Sequence, residues 1–161
     1  DVELPIILPL SNPSKHSEAR PQDIINWTQN RVFVATGSPF PPCQHNKQSI
    51  VVGQCNNIFA FPGIGSGMIS AQATHLTDNM LVAAAQAICD YIAQQGYSNQ
   101  TIMPSMAELG AVTAHVAHAV SQQAVEDKVT EKTSQEAEQS LQARFWQPGY
   151  LPYYRQQIER G

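Results

Sequence analysis

The stretch 4–36, LPIILPLSNPSKHSEARPQDIINWTQNRVFVAT, decides the fold. Residues 4–10 form a short, unbroken apolar run, the pattern of a strand covered on both faces in a parallel sheet, and Ser11-Asn12-Pro13 breaks it. Pro21 stands where a helix tolerates proline, in its first turn, and Ile24, Ile25 and Trp27 offer one apolar face. Residues 31–36 are apolar and β-branched, and they end in the breaker Gly37-Ser38-Pro39. A strand, a helix and a strand in this order make a parallel pair with a right-handed crossover. Ser11-Asn12 and Gly37-Ser38 then fall on one sheet edge, where open α/β sheets bind ligands.

Beyond this unit, a polar, proline-bearing loop leads to a short run at 50–52, and the apolar residues 58–61 offer another strand after the polar insert Gln54-Cys55-Asn56-Asn57. Past Gly67 the pattern turns helical. Thr77 or Asp78 can cap an Ala-rich helix that ends at Gly96. Ser105 and Glu108 have capping-box spacing for a helix to about Val125, and Thr133 and Glu136 open a further one reaching Arg144. Phe145, Trp146, Tyr150, Tyr153 and Tyr154 make an aromatic, proline-interrupted tail that calls for an apolar surface to pack on. The expected architecture is α/β: a partial Rossmann-type parallel sheet at 1–67 followed by a helical region and aromatic tail at 68–161.

With 161 residues and 42% hydrophobic content, the chain can bury one core. A net charge of −4 and a pI near 5.6, without a basic block, give no footprint for nucleic acid or an anionic membrane. No run is long enough to span a bilayer, and the start has no basic n-region of a signal peptide. Three cysteines without a C-x-x-C pair read as free thiols in a reducing compartment, which favours the cytoplasm. The chain has no initiator Met and enters a strand almost at once, which suggests a truncated protein.

Asn12 follows the first strand at the ligand edge, where its carboxamide can donate to a carboxylate or a cofactor amide, or simply shape a turn. Asn56 and Asn57 lie between two apolar runs, and their amides are served by a ligand or by loop hydrogen bonds. Gly63-Ile64-Gly65-Ser66-Gly67 has the context of a phosphate cradle but lacks the G-x-G-x-x-G spacing, so close helix packing explains it better. His115 and His118 share a helix face without a carboxylate or cysteine on that helix to complete a metal site, which reads as a surface pair.

Taken together, PIILPLSNPS, NWTQNRVFVATGSPF, GQCNNIFAFPGIGSG and ARFWQPGYLPYYR resemble the carboxyl-terminal part of the cofactor domain of malic enzymes, and Cys55 with the FWQ tail resembles the bacterial NAD-linked branch. The resemblance implies an oxidoreductase that converts malate to pyruvate and carbon dioxide, with NAD (NADP as the alternative) as cofactor, Mg or Mn as metal, and a homo-oligomeric state. It implies substrate contacts at Asn12, Asn56 and Asn57 and cofactor contacts at Asn12 and Ser38. The base, the acid, the metal ligands and the phosphate-binding glycines lie in the family's preceding part, so the chain alone is expected to be inactive, with no catalytic or metal residue of its own. Arg20 departs from the family's usual threonine before Pro21-Gln22 and removes a helix cap worth ~1 kcal/mol. A malolactic enzyme, which ends at lactate, shares the architecture. A non-catalytic interaction module is the alternative from another class.

Overall fold

The computed structural model describes residues 2–96 and 102–144. The aromatic tail lies outside them. The element order is β1 (Ile6–Ile7), α1 (Pro21–Trp27), β2 (Phe33–Thr36), β3 (Cys43–His45), β4 (Gln48–Ile50), β5 (Gly53–Gln54), α2 (Phe61–Ala71), α3 (Asp78–Gln95), α4 (Leu109–Glu126) and α5 (Ser134–Arg144). Short 3-10 turns precede α1, α2 and α4.

The sheet order is β1-β2-β5, all parallel, with Ile6 opposite Phe33 and Ala35 opposite Gly53. The strand, helix, strand reading therefore holds, and the carboxyl ends of the strands share one edge. Three expectations need correction. The third strand is Gly53–Gln54, not the apolar run 58–61. That run instead forms the 3-10 turn Asn57–Phe59 and the start of α2. Asn56 caps the turn by accepting from Ile58 N at 3.0 Å, and Pro62 sits in the first turn of α2, where its missing N–H costs nothing.

The second correction concerns β1, which is not covered on both faces by the described residues. It lies at the sheet edge, and Ile6 is 62% exposed, flanked by exposed Leu4, Leu8 and Leu10. Ile7, on the opposite side, packs against a core of Ile24, Ile25, Val32, Val34, Cys43 and Ile50. Helix α1 closes this core without a side-chain cap at Arg20, so burial of Ile24 and Ile25 holds it. Trp27 does not join them: it is the last residue of α1 and is 73% exposed. The polar loop after β2 contains a hairpin, β3 with β4, turned at Asn46-Lys47, both with positive φ. Gln22 of α1 acts on that hairpin like an extra strand residue. Its Oε1 accepts from Gln44 N at 2.8 Å and its Nε2 donates to Gln44 O at 2.9 Å.

Helices α2 to α5 bury a second core around Phe59, Met80, Val112, Val116 and Val120. Residues 63–67 lie inside α2, not between a strand and a helix, so they form no phosphate cradle. Their role is close packing. A Cβ on Gly67 would come within 2.7 Å of Ala117 O and 2.8 Å of Val120 Cβ. The capping expectations hold. Thr77 accepts from Met80 N at 3.1 Å, α3 ends at Gly96 with φ 61°, and Ser105 with Glu108 forms a capping box. Thr133 and Glu136 bond reciprocally ahead of α5, at 2.8 Å from Thr133 N and 3.3 Å from Glu136 N.

Candidate functional site

The strands deliver three loops to one edge: Ser11-Asn12 after β1, Gly37-Ser38 after β2, and Cys55-Asn56-Asn57 after β5. Backbone bonds continue the ladder past the strand ends. Gly37 N donates to Pro9 O at 3.1 Å and Cys55 N to Thr36 O at 2.8 Å. Gly37 is required there, because a Cβ would stand 2.0 Å from Leu10 O.

The carbonyl of Gly37 gathers two carboxamides, accepting from Gln54 Nε2 at 3.2 Å and Asn56 Nδ2 at 3.3 Å. Asn56 is thus bonded at both ends of its amide, since its Oδ1 caps the following turn. Asn12 is bonded at one end. Its Oδ1 accepts from Ser38 Oγ, while its Nδ2 has no hydrogen-bond partner among the described residues. The Asn12-Pro13 peptide is cis. The loop beyond it is closed by Ser11, whose hydroxyl donates to Glu18 Oε1 at 2.6 Å and holds that carboxyl below its ordinary pKa.

Asn12, Asn56 and Asn57 line one cavity of 340 Å³ together with Cys55 and an apolar wall that includes Phe59, Ile88 and Met103. Among the described residues, none that lines it is charged. Burial pushes the Cys55 thiol pKa up, so it stays a neutral thiol. Three neutral amides and an apolar wall suit a flat or compact polar ligand that needs hydrogen-bond donors at defined points. The structure thus brings three of the four expected residues around one cavity and places the fourth, Ser38, behind Asn12, buried and outside the lining.

Ile88 and Met103 were not foreseen. They come from α3 and the segment before α4, and nothing in their local pattern separates them from core residues. Met103 is seated by β5, where a Cβ on Gly53 would lie 3.2 Å from Met103 Cβ. The histidine pair is a helix-surface feature. His118 Nδ1 contacts Glu138 Oε2 of α5 at 2.5 Å, and the His115 ring meets Tyr91 edge-on at 6.0 Å between centroids.

The family model described as "Malic enzyme, NAD binding domain" matches residues 1–125. The chain is 44% identical over 156 residues to the NAD-dependent malic enzyme of Psychrobacter cryohalolentis, covering 96% of this chain and 28% of that protein. It is 40% identical over 154 residues to the NAD-dependent malic enzyme of Aliivibrio fischeri, covering 95% and 27%. Among solved structures, the malic enzyme of Entamoeba histolytica superposes with a TM-score of 0.62 at 27% identity, over 86% of this chain and 26% of that one. The malic enzyme of Pyrococcus horikoshii gives 0.60 at 28% identity, over 85% and 28%. The chain spans little more than a quarter of the length of these relatives.

Proposed function

Since the chain belongs to the malic enzyme family, as a segment of its NAD-binding domain, we propose that it forms the substrate- and nicotinamide-facing edge of an enzyme that oxidises malate to pyruvate and carbon dioxide. The observation that carries this reading is the cavity at the carboxyl ends of the parallel strands, where Asn12 keeps an uncommitted donor. In an open α/β sheet this edge is where a cofactor and its substrate meet.

NAD, when bound, supplies the acceptor for the hydride that leaves the malate C2 carbon. The chain's own residues bind and orient. Asn12 Nδ2 donates to a substrate carboxylate or to a carboxamide without adding charge, and Asn56 and Asn57 extend the same polar rim. Phe59, Ile88 and Met103 keep the opposite wall dry, which strengthens each of those hydrogen bonds. For Mg or Mn the described residues offer no group of three or more His, Cys, Asp or Glu side chains. The metal ligands and the acid and base groups are therefore assigned to the remainder of a full-length enzyme.

We take that enzyme to be a cytoplasmic homo-oligomer, a reading the three free thiols support for the compartment alone. The relatives named as NAD-dependent malic enzymes favour NAD over NADP and pyruvate over lactate as product. The test is product analysis on the full-length protein carrying this chain, supplied with malate, NAD and Mn²⁺. Pyruvate and NADH in equal amounts support the reading. Lactate without net NADH points to a malolactic enzyme, and no turnover of malate overturns both.

A further inference from the structure

We infer that Ser38 is a positioning residue for this site: its hydroxyl fixes which way the Asn12 carboxamide faces, and it does not itself touch the ligand. The inference rests on the substrate-facing role proposed for Asn12 and adds a residue that the cavity lining does not contain.

Ser38 is 7% exposed, and a buried hydroxyl hydrogen needs an acceptor. The one it has is Asn12 Oδ1, 26 residues away in sequence. An amide nitrogen cannot accept, so the hydroxyl hydrogen distinguishes the two flip states of Asn12. With Oδ1 turned to Ser38, the donor is satisfied and Nδ2 is left for the cavity that Asn12 lines. With the amide reversed, Nδ2 can still donate to the Ser38 oxygen, but the buried hydroxyl hydrogen loses the acceptor it has at Asn12 Oδ1, so the pairing favours Oδ1 toward Ser38.

Ser38 is itself held on both sides. Its carbonyl accepts from Thr36 Oγ1 at 2.8 Å, and the preceding Gly37 is pinned to β1 through Pro9 O and lies tight against Leu10. The selecting hydroxyl is therefore a fixed reference, while Asn12 sits on an exposed loop with a torsion that is otherwise free to turn. Once the reference is lost, part of the population presents Oδ1 to the ligand. Apparent affinity falls by the fraction that remains competent, whereas complexes that do form react normally. A binding defect of this type raises KM for malate and spares kcat.

The experiment has two arms. In the full 161-residue chain, ¹⁵N NMR reads the Asn12 side-chain amide directly, with its resonances assigned by their disappearance in Asn12→Asp. Ser38→Ala is expected to shift and broaden both Asn12 amide proton signals, as two amide orientations exchange, while the α2–α5 backbone signals stay in place. Unchanged Asn12 signals overturn the inference whatever the protein's activity. In the full-length protein, Ser38→Ala is expected to raise KM for malate roughly three- to tenfold with kcat held within about twofold, and Ser38→Thr to recover most of the loss. Combined with Asn12→Ala, it should cost nothing further. An equal loss in the Asn12→Ala background also overturns the inference, because Ser38 would then act independently of Asn12. If the wild-type full-length protein oxidises no malate, the functional reading falls, and the NMR arm still decides the role of Ser38.

Discussion

Gly63 of α2 faces Val116 of α4 so closely that a Cβ on the glycine would stand 2.5 Å from the Val116 Cβ and 2.6 Å from its Cγ1. The two helices can approach this far only because one side chain is missing. Gly63→Ala gains up to ~1 kcal/mol of helix propensity but must push α4 aside, an overpacking cost of about 1–3 kcal/mol. Gly65, two residues on, has nothing within 4 Å of its would-be Cβ. Thermal unfolding should therefore separate the two: Gly63→Ala lowers Tm and Gly65→Ala raises it. A Gly63→Ala protein as stable as wild type would mean that the helices are not in this contact.

Asp127 joins the ends of α3 and α4. Its carboxylate accepts from the Thr77 hydroxyl, from Asn79 Nδ2 at 3.0 Å and from Gln123 Nε2 at 3.0 Å. These bonds, the Thr77 one foremost, hold its pKa below the ordinary 3.8. A depressed acid pKa contributes stability that is present above the unfolded value and lost as pH falls through the folded one. The Tm of the wild type should thus fall faster than that of Asp127→Asn as pH is lowered from about 5 to below 3, a window set by the unfolded pKa near 4. Parallel curves for the two proteins would show that the three bonds favour neither protonation state.

The exposed apolar row of β1, Leu4, Ile6, Leu8 and Leu10, invites association. Pro5 O and Pro9 O accept from Phe33 N and Gly37 N, so both prolines turn their backbone toward β2, and contact between chains should rest on this row of apolar side chains. Sedimentation of the isolated chain should show concentration-dependent association that Ile6→Lys with Leu8→Lys reduces. A monomer at millimolar concentration would count against it.

The fold was legible where local chemistry and global pattern agree. RVFVAT is β-branched and bounded by glycine, Thr77 is followed by an apolar period, and Ser105 and Glu108 stand at cap spacing. Reading failed where position depends on a neighbour. Gly53–Gln54 is a strand because Ala35 and Thr36 lie beside it, and no apolar run announces it. Residues 58–61 looked like the strand, but the cap at Asn56 and Pro62 in the first turn outweigh the short apolar run. Asn46-Lys47 turns a hairpin without the glycine that would have advertised it. At the site, Asn12 stood out because it follows an apolar strand, and Asn56 because it lies in a polar insert between two apolar runs. Ile88 was not readable, because a helical residue that faces a cavity has the same pattern as one that faces a core, and Met103 was not, because it lies in the irregular segment before α4. The opposite commitments of Asn12 and Asn56 exist only in three dimensions.

Those commitments separate two substitutions that sequence alone would treat as equivalent. Asn12 keeps Nδ2 unbonded, whereas Asn56 spends its amide on Ile58 N and Gly37 O. Removing Asn12 therefore deletes the donor proposed for the ligand and one acceptor for Ser38. Removing Asn56 also removes a cap worth ~1 kcal/mol and a link between the loops after β2 and β5. In the full-length protein, Asn12→Ala should lower kcat/KM for malate about ten- to a hundredfold, the worth of a hydrogen bond to a charged carboxylate at about 1.5–3 kcal/mol. Its Tm should fall by less than that of Asn56→Ala, since only the Ser38 hydroxyl loses its partner. Asn12→Asp should be worse, because it removes the donor and sets a negative charge beside a malate dianion. Asn56→Ala should lose activity and also several degrees of Tm, in line with ~1 kcal/mol in a domain of this size. Measuring kcat/KM and Tm on all three variants decides the point. If Asn12→Ala and Asn12→Asp keep wild-type kcat/KM while Asn56→Ala loses it at constant Tm, then Asn12 is only a turn residue, and Asn56 is the one that meets the substrate.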